Sequence, residues 1–242
     1  MGLGQSERKN RTYVTAMGDS FRLKVPEGTE GAVKRMNMNG QAVWELHYTQ
    51  LDGYLAGLSL YDSGQGYGPQ WNVTIDDGTG EQIIINLPYS GSHTKTLLNR
   101  LCSLTPDQIN RELLIMRPFE FERKDKPGKK ARGIALYLSN ADDPNNKVVG
   151  KFTKDDLPPL QEVTIKGQKT FDDTDQMKFI QEHLENWIIP HVGNPHAQLK
   201  QDAENEAPEP LSRAEAMIAD MTPAGNVKKA VEDDSVDIDV PF

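Results

Sequence analysis

The chain has 242 residues, a formal charge of −9 and an apolar content of 36%. We expect a cytoplasmic protein, because no run approaches the roughly 20 apolar residues of a membrane span and the first residues lack the apolar stretch of a signal peptide. The single cysteine, Cys102, excludes an internal disulfide and suits a reducing compartment.

The negative charge is concentrated towards the C-terminal end. Residues 199–242 contain 11 acidic and 4 basic side chains, whereas residues 1–198 contain 25 acidic and 23 basic side chains. The larger part of the chain is therefore nearly neutral, and a local basic groove can form on it.

Residues 1–11 predict a flexible N-terminal arm, and from Tyr13 to about Ile165 apolar and polar residues alternate. This alternation, interrupted by turn residues, predicts a succession of short strands. Leu51-Asp52-Gly53 predicts a turn that joins two of them in a hairpin. The predicted strands are Val43–Tyr48, Tyr54–Tyr61, Trp71–Ile75, Gln82–Leu87, Leu113–Glu122, Gly133–Ser139, Val148–Thr153 and Glu162–Ile165.

Two segments with apolar residues at spacings of three and four predict helices, at Ser92–Ser103 and at about Thr174–Ile189. Between them, Thr105-Pro106-Asp107-Gln108 has capping-box spacing with Pro at the first helical position, which predicts a short helix. The apolar stripes are Leu97, Leu98, Leu101 and Cys102 in the first helix, and Met177, Ile180, Leu184, Trp187 and Ile188 in the second.

Short consecutive strands, a helix between two sets of strands and the lack of βαβ alternation favour an OB-fold. We therefore predict a mainly β protein with a few helices, built as a small partly open Greek-key barrel and followed by a disordered acidic tail. The predicted parts are an OB-like domain with a C-terminal helix at 12–192, a linker at 193–231 and an acidic tip at 232–242.

Aromatic rings mixed with cations are what sequence-tolerant binding of a single nucleic-acid strand requires, since bases stack on rings at roughly 1–3 kcal/mol each and cations contact phosphates. Strand aromatics more often belong to a core, and Trp44 and Trp71 share a face with aliphatic residues, which favours core positions for both. The preferred stacking candidates lie in or beside turns and are Tyr61, Tyr67 and Tyr89.

The segment from Arg123 to Arg132 holds six cations and one acid between two predicted strands. Such a hairpin arm can close over a nucleic-acid strand, although a solvated hairpin tip is the other interpretation. Lys34, Arg35, Lys95 and Arg100 extend the groove in this interpretation. With the three tyrosines, the predicted ligands of single-stranded DNA are Lys34, Arg35, Lys95, Arg117, Phe119, Phe121, Arg123, Lys124, Lys126, Lys129, Lys130 and Arg132, of which Arg117, Phe119, Phe121 and Arg123 share one strand face.

The sequence offers no convincing catalytic constellation. The Gly-rich segment 64–68 lacks the Lys-Ser/Thr pair of a phosphate loop, and His191 and His196 have neither a cysteine nor an acid nearby to complete a metal site. Cys102 lacks an evident activating partner. We therefore expect a non-enzymatic protein without a metal or another cofactor.

Residues 232–242 combine five acidic side chains with a final Pro-Phe. A ring and a carboxylate of this kind suit an apolar pocket with a basic rim on a partner protein. A solvated acidic tail is the other interpretation. The predicted partner-binding residues are Asp233, Asp234, Asp237, Asp239, Pro241 and Phe242.

The segment 237–242, Asp-Ile-Asp-Val-Pro-Phe, resembles the C-terminal tip of phage-type single-stranded DNA-binding proteins. Trp44-Glu45-Leu46, Gly57–Ser63, Trp71–Asp77 and Leu87–Ser90 also look like segments of this family, more diffusely. The resemblance implies an OB-fold that coats exposed strands in the host cytoplasm and a tip that recruits polymerase, primase, helicase or recombinase. This chain has a longer domain than the short bacterial type, and it has a second helix. The homotetramer of the bacterial type is therefore not carried over, and we expect a monomer or a small homo-oligomer.

The sequence thus leads to two hypotheses. The first is a sequence-independent single-stranded DNA-binding protein of phage DNA replication, recombination or repair, with no membrane association. The second is a protein-interaction adaptor or virion component whose β-domain binds no nucleic acid. Only the mixture of aromatic and basic residues favours the first over the second.

Overall fold

The computed structural model describes residues 11–37, 39–62, 64, 68–124, 128–139, 142–165 and 168–193. Over these ranges the chain is mainly β with three α-helices, as predicted. The strands are β1 Arg11–Met17, β2 Ser20–Val25, β3 Val33–Met36, β4 Ala42–Tyr48, β5 Leu51–Asp62, β6 Pro69–Asp76, β7 Gln82–Pro88, β8 Leu114–Glu122, β9 Lys130–Leu138, β10 Lys147–Val148, β11 Gln161–Ile165 and β12 Gln168–Asp172. The helices are α1 Ser92–Leu101, α2 Pro106–Arg111 and α3 Thr174–His183, which continues as a π-helical segment at Leu184–Ile188; 3-10 turns lie at Pro144–Asn146 and Ile189–His191.

Ten strands join edge to edge in the order β10-β9-β8-β5-β6-β7-β1-β2-β4-β3, and β11 and β12 form a separate hairpin. Neighbouring strands are antiparallel except β1 and β7, which run parallel. The long strand β5 connects the two halves of the sheet, because Leu51–Gly53 pairs with β8 and the remainder pairs with β6. A bulge between Leu55 and Gly57 lets β5 bend between these partners.

The segment 51–53 begins β5, so the predicted hairpin between β4 and β5 is wrong: β4 pairs with β2 and β3 instead. Gly53 has a packing role rather than a turn role. A Cβ atom at this position would lie 2.4 Å from Cγ2 of Ile75 and 2.6 Å from the carbonyl oxygen of Asp76. The close approach of β6 therefore requires glycine here.

The predicted strand at Val148–Thr153 is shortened to Lys147–Val148. The residues that follow bond to α1 rather than to a strand. Asn99 donates from Nδ2 to the Phe152 carbonyl and accepts from the Phe152 amide, both at 2.9 Å. One amide side chain thus replaces the ladder partner that would have continued β10.

The apolar stripes of the two predicted helices are buried, with one exception. The capping box at Thr105 and Gln108 is present at the start of α2 as predicted. In the second stripe Met177, Ile180 and Leu184 are buried, whereas Trp187 is 64% exposed. The π-helical turn at 184–188 widens the helical spacing, so Trp187 no longer lies over the stripe.

The main core lies between the inner faces of the sheet and α1. Trp71 is fully buried as predicted, whereas Trp44 is only half-buried and lies beneath Lys34, whose Nζ is 5.7 Å from the ring centroid. Cys102 is buried beside α1, and burial raises the pKa of its thiol to about 12. Within the described ranges, no helix is long and apolar enough to span a membrane.

The helix α1 covers the edge of β9 that faces away from β8. Thr96 Oγ1 accepts a hydrogen bond from the Ile134 amide at 3.0 Å, and Arg100 donates to the Ile134 carbonyl at 2.7 Å. Arg100 also donates to the Val148 carbonyl at 3.2 Å. Two helical side chains therefore satisfy the backbone groups of a strand edge that has no neighbouring strand at this position.

Candidate nucleic-acid interface

The hairpin of β8 and β9 forms the basic arm that the sequence predicted. Its turn closes through a hydrogen bond from the Arg123 amide to the Lys129 carbonyl at 2.8 Å, and Gly128 has a positive φ of 77°. The Gly128 amide donates to Glu122 at 2.7 Å. These bonds order the base of the turn and leave the side chains of Arg123, Lys124, Lys129, Lys130 and Arg132 exposed.

An open cleft of about 420 Å³ separates this arm from α1, and we call it the α1–hairpin cleft. Four of the predicted ligands meet there, and the described residues that line the cleft include no acid. The lining residues are Ser92, Lys95, Thr96 and Asn99 from α1, and Arg123, Lys130, Ala131 and Arg132 from the arm. Lys95 thus meets Arg123, Lys130 and Arg132, which lie 28, 35 and 37 positions further along the sequence, on one open surface.

Two acids next to the cleft moderate its positive charge. Lys130 Nζ and Arg132 Nε each lie 2.5 Å from an oxygen of Glu120, and Lys95 Nζ lies 3.7 Å from Asp173 Oδ2 while also bonding Gln176. The hydrogen bond from Lys130, with the one from Arg132, lowers the pKa of Glu120. Glu120 therefore stays ionised at neutral pH and orients two of the cleft cations.

The opposite face of β8 carries the predicted row of Arg117, Phe119 and Phe121. The two Phe rings stack with centroids 5.7 Å apart, and Phe121 is 57% exposed. Arg117 already has partners, because it donates to Gln50 at 2.8 Å and to Asp142 at 3.3 Å and lies over the Tyr137 ring. The shared face is confirmed for Arg117, Phe119 and Phe121, of which Phe121 is the most accessible ring, whereas Arg123 follows the end of β8 and lines the α1–hairpin cleft.

Lys34 and Arg35 are neighbours on β3 and point to opposite faces of the sheet, since Lys34 is opposite Trp44 and Arg35 is opposite Val43. Arg35 Nη2 lies 2.7 Å from the buried carboxylate of Glu45. The hydrogen bond from Arg35 is the largest cause that lowers the pKa of Glu45. The two cations therefore do not line one surface together.

The predicted tyrosines have different environments. Tyr61 is 51% exposed at the end of β5. Tyr89 packs against the core and donates from its hydroxyl to Gln181 at 3.1 Å; burial is the main cause that raises its pKa. Two predicted DNA ligands, Tyr67 and Lys126, lie outside the described residues, as do residues 1–10, 194–231 and the whole tip 232–242.

The structure also brings together three cations and a tyrosine that the sequence prediction does not include among the DNA ligands. Arg11, Tyr13, Arg22 and Lys24 line an open groove of about 510 Å³ on the outer face of β1, β2 and β7, which we call the β1–β2 groove. Arg11 belongs to the flexible arm in the sequence prediction, but it begins β1 in the structure, and the prediction gives the alternation along 11–17 no function. The alternation along 11–17 puts Arg11, Tyr13 and Thr15 on one exposed strand face, and this pattern could have indicated a binding surface from the sequence.

A third opening, the linking cleft, lies between the other two and shares lining residues with each. It shares Arg22 with the β1–β2 groove, and Ser92 and Arg132 with the α1–hairpin cleft. Asp19 and Glu120 contribute acids to its wall, and His93 lies 2.8 Å from the Gly18 carbonyl. The three openings are therefore neighbours on the surface, separated by the side chains that they share.

Comparison of the chain with protein-family models, with curated proteins and with solved structures gave no match. Among the described residues, no group of three or more His, Cys, Asp or Glu side chains is placed to hold a metal ion.

Proposed function

We propose that this chain binds single-stranded DNA without sequence preference and coats exposed strands during replication, recombination or repair. The observation that carries the proposal is the α1–hairpin cleft, where Lys95, Arg123, Lys130 and Arg132 converge and the described lining includes no acid. An open basic groove beside exposed rings is the arrangement that sequence-tolerant strand binding uses. The exposed rings Phe121, on the opposite face of β8, and Tyr61, at the end of β5, are further candidates for base stacking.

We also propose that β5 to β9 form an OB-like, partly open barrel. The order β9-β8-β5-β6-β7, with α1 inserted between β7 and β8, supports this arrangement. OB-folds bind oligonucleotides on the face of their second and third strands and on the loops that join strands one to two and four to five. If β5 is counted as the first strand, these loops are the Gly-rich segment 63–68 and the basic turn 123–129.

The acidic residues 232–242 have a second role in this proposal. Their charge allows them to compete with DNA for the basic cleft, and their release on DNA binding makes them available to replication or recombination proteins. The support is the charge distribution of the sequence, with a nearly neutral body and an acidic end.

Titration with oligo-dT tests the DNA-binding function directly. We expect tryptophan and tyrosine fluorescence to be quenched with an affinity that falls steeply as salt is added, because phosphate contacts release counterions. A duplex of the same length is the control for strand preference, and incubation with divalent metal checks for degradation.

Failure to bind poly-dT in dilute buffer would contradict the proposal. That result would favour the alternative of an adaptor or virion component, while metal-dependent cleavage would indicate an enzyme.

A further inference from the structure

We propose that the bound strand runs on from the α1–hairpin cleft, through the linking cleft, into the β1–β2 groove, where Tyr13 stacks a base and Arg22 and Lys24 contact phosphates. This inference rests on the proposed single-strand binding and assigns a part of the path to β1 and β2. It gives a function to residues that lie outside the five OB-like strands.

The first support is the composition of the groove. Tyr13 is 57% exposed at its centre, next to Ile84 of β7 in the parallel register. Arg22 pairs with Thr15 across the β1–β2 ladder, so it projects from the same face as Tyr13, and Lys24 follows two positions later. The described lining includes cations and no acid. A ring between cations matches the alternation of base and phosphate along an extended strand.

The second support is the environment of Arg22. Its closest acid is Glu45, whose Oε2 lies 3.6 Å from Nη1, and this carboxylate is shared with Arg35 at 2.7 Å. Nε of Arg22 is buried without a hydrogen-bond partner. The buried Nε is out of reach of a ligand, but the Arg22 side chain is 20% exposed, so its accessible guanidinium nitrogens can donate to a phosphate oxygen.

The third support is continuity. Arg22 lines both the β1–β2 groove and the linking cleft, and Arg132 lines both the linking cleft and the α1–hairpin cleft. A flexible polyanion can pass from one opening to the next at these shared cations, Arg22 and Arg132, which flank the acids Asp19 and Glu120 of the linking cleft. The extent of the surface favours a single nucleic-acid strand over an acidic peptide, because the three openings together exceed what one short peptide motif needs.

The test is a salt-dependent titration of the full chain with oligo-dT of about 30 nucleotides, longer than the site of a single OB domain. We expect Tyr13→Ala to weaken binding by a factor of about 5 to 150, the value of one base stack, and Tyr13→Phe to restore it. Lys24→Gln should lower the slope of log K against log salt by about 0.7, the value of one phosphate contact on a single strand.

The controls are variants of a similar ring and a similar cation outside the path. Tyr48 lies opposite Phe21 on the other face of the sheet, and Lys178 is exposed on α3. Tyr48→Ala and Lys178→Gln should leave affinity and salt slope unchanged, and circular dichroism melts should show that all variants are folded. A photoreactive iododeoxyuridine in the oligonucleotide should cross-link to Tyr13.

The outcomes separate the two proposals. If the unaltered chain binds oligo-dT while Tyr13→Ala and Lys24→Gln bind it equally well with the same salt slope, the extended path is wrong and the proposed function stands. If the unaltered chain does not bind oligo-dT, both are overturned.

Discussion

The helix α1 meets the edge of β9 in two different ways along its length. Near its C-terminal end, Arg100 donates to the Ile134 carbonyl and closes the contact, while Thr96, which also lines the open cleft, accepts from the Ile134 amide. Towards its N-terminal end, Lys95 faces Lys130 and Arg132 across an open cleft. One helix therefore presents one cation to backbone carbonyls and another to the wall of an open cleft, where its partners are the side chains of Gln176 and Asp173.

The partners of a cation decide its role more than its place in a sequence motif does. Arg100 donates to the carbonyls of Ile134, Val148 and Thr96, so its hydrogen-bonding capacity is used within the fold. Lys95 Nζ lies 3.7 Å from Oδ2 of Asp173, and the side chain is accessible from the cleft. Both residues had been predicted as parts of one DNA-binding groove, and only Lys95 lines the cleft.

The largest expected effect comes from Arg100→Met at the sealed end. This variant leaves the carbonyls of Ile134 and Val148 without their donor, so we expect the free energy of unfolding to fall by about 3 kcal/mol. Lys95→Met should change it by less than about 0.5 kcal/mol, because its partners are partly solvated. Urea unfolding of both variants measures the two changes in the free energy of unfolding. Equal losses would show that Arg100 and Lys95 contribute equally to stability and would contradict their different roles.

Cys102 provides a second readout of the same region. In the native protein its pKa of about 12 and its burial suppress thiolate formation, so alkylation at pH 8 should be slow. Alkylation of Cys102 should be faster in Arg100→Met, because the lower stability of this variant exposes the thiol more often, and it should remain slow in Lys95→Met.

The next largest effect is on DNA binding at the open end. A triple variant that carries Lys95→Gln, Lys130→Gln and Arg132→Gln should bind oligo-dT more weakly, on the order of a hundredfold, because each lost contact costs about 1 kcal/mol. The salt slope should fall by about 0.7 for each phosphate contact removed. Fluorescence titration at several salt concentrations measures both, and an unchanged slope would exclude the cleft from the site.

Removal of residues 232–242 should have a moderate effect that depends on salt. The deletion removes five acidic side chains, so DNA affinity should rise several-fold at low salt and be nearly unchanged at high salt, where the screening length is only about 3 Å. Replacing the same acids by Asn and Gln is the control that keeps the length. Equal affinities at low salt would count against competition by the tip.

The smallest expected effect is that of Glu120→Gln. This change removes the anion that binds Lys130 and Arg132, so oligo-dT affinity should rise about two- to fivefold at neutral pH. Because the pKa of Glu120 is lowered in the fold, its carboxylate is ionised throughout the neutral range, and its contribution to stability is lost only as the pH falls through that lowered pKa. Glu182→Gln, an exposed change on α3, is the matched control, and weaker binding in Glu120→Gln would show that Glu120 positions the cations for DNA.

Much of the local structure could be predicted because it depends on neighbouring residues. Alternation predicted the strands around Trp71 and the shared face of Phe119 and Phe121, and the capping box predicted α2. The predictions failed where a distant segment decides the outcome. Gly53 was interpreted as a turn residue, yet it is required by the approach of Ile75, and the predicted strand after Val148 is replaced by bonds to Asn99.

A mainly β protein, a basic hairpin arm and an acidic C-terminal segment can all be inferred from the sequence, because periodicity, turn chemistry and charge are local properties of the chain. Which cations act together depends on the tertiary structure. Whether Lys95 meets Arg132, whether Arg100 is used by backbone carbonyls and whether Arg22 lines a groove with Tyr13 depend on strand order and register. These contacts join residues far apart in sequence, and the energy of each depends on burial and partners that no single segment contains.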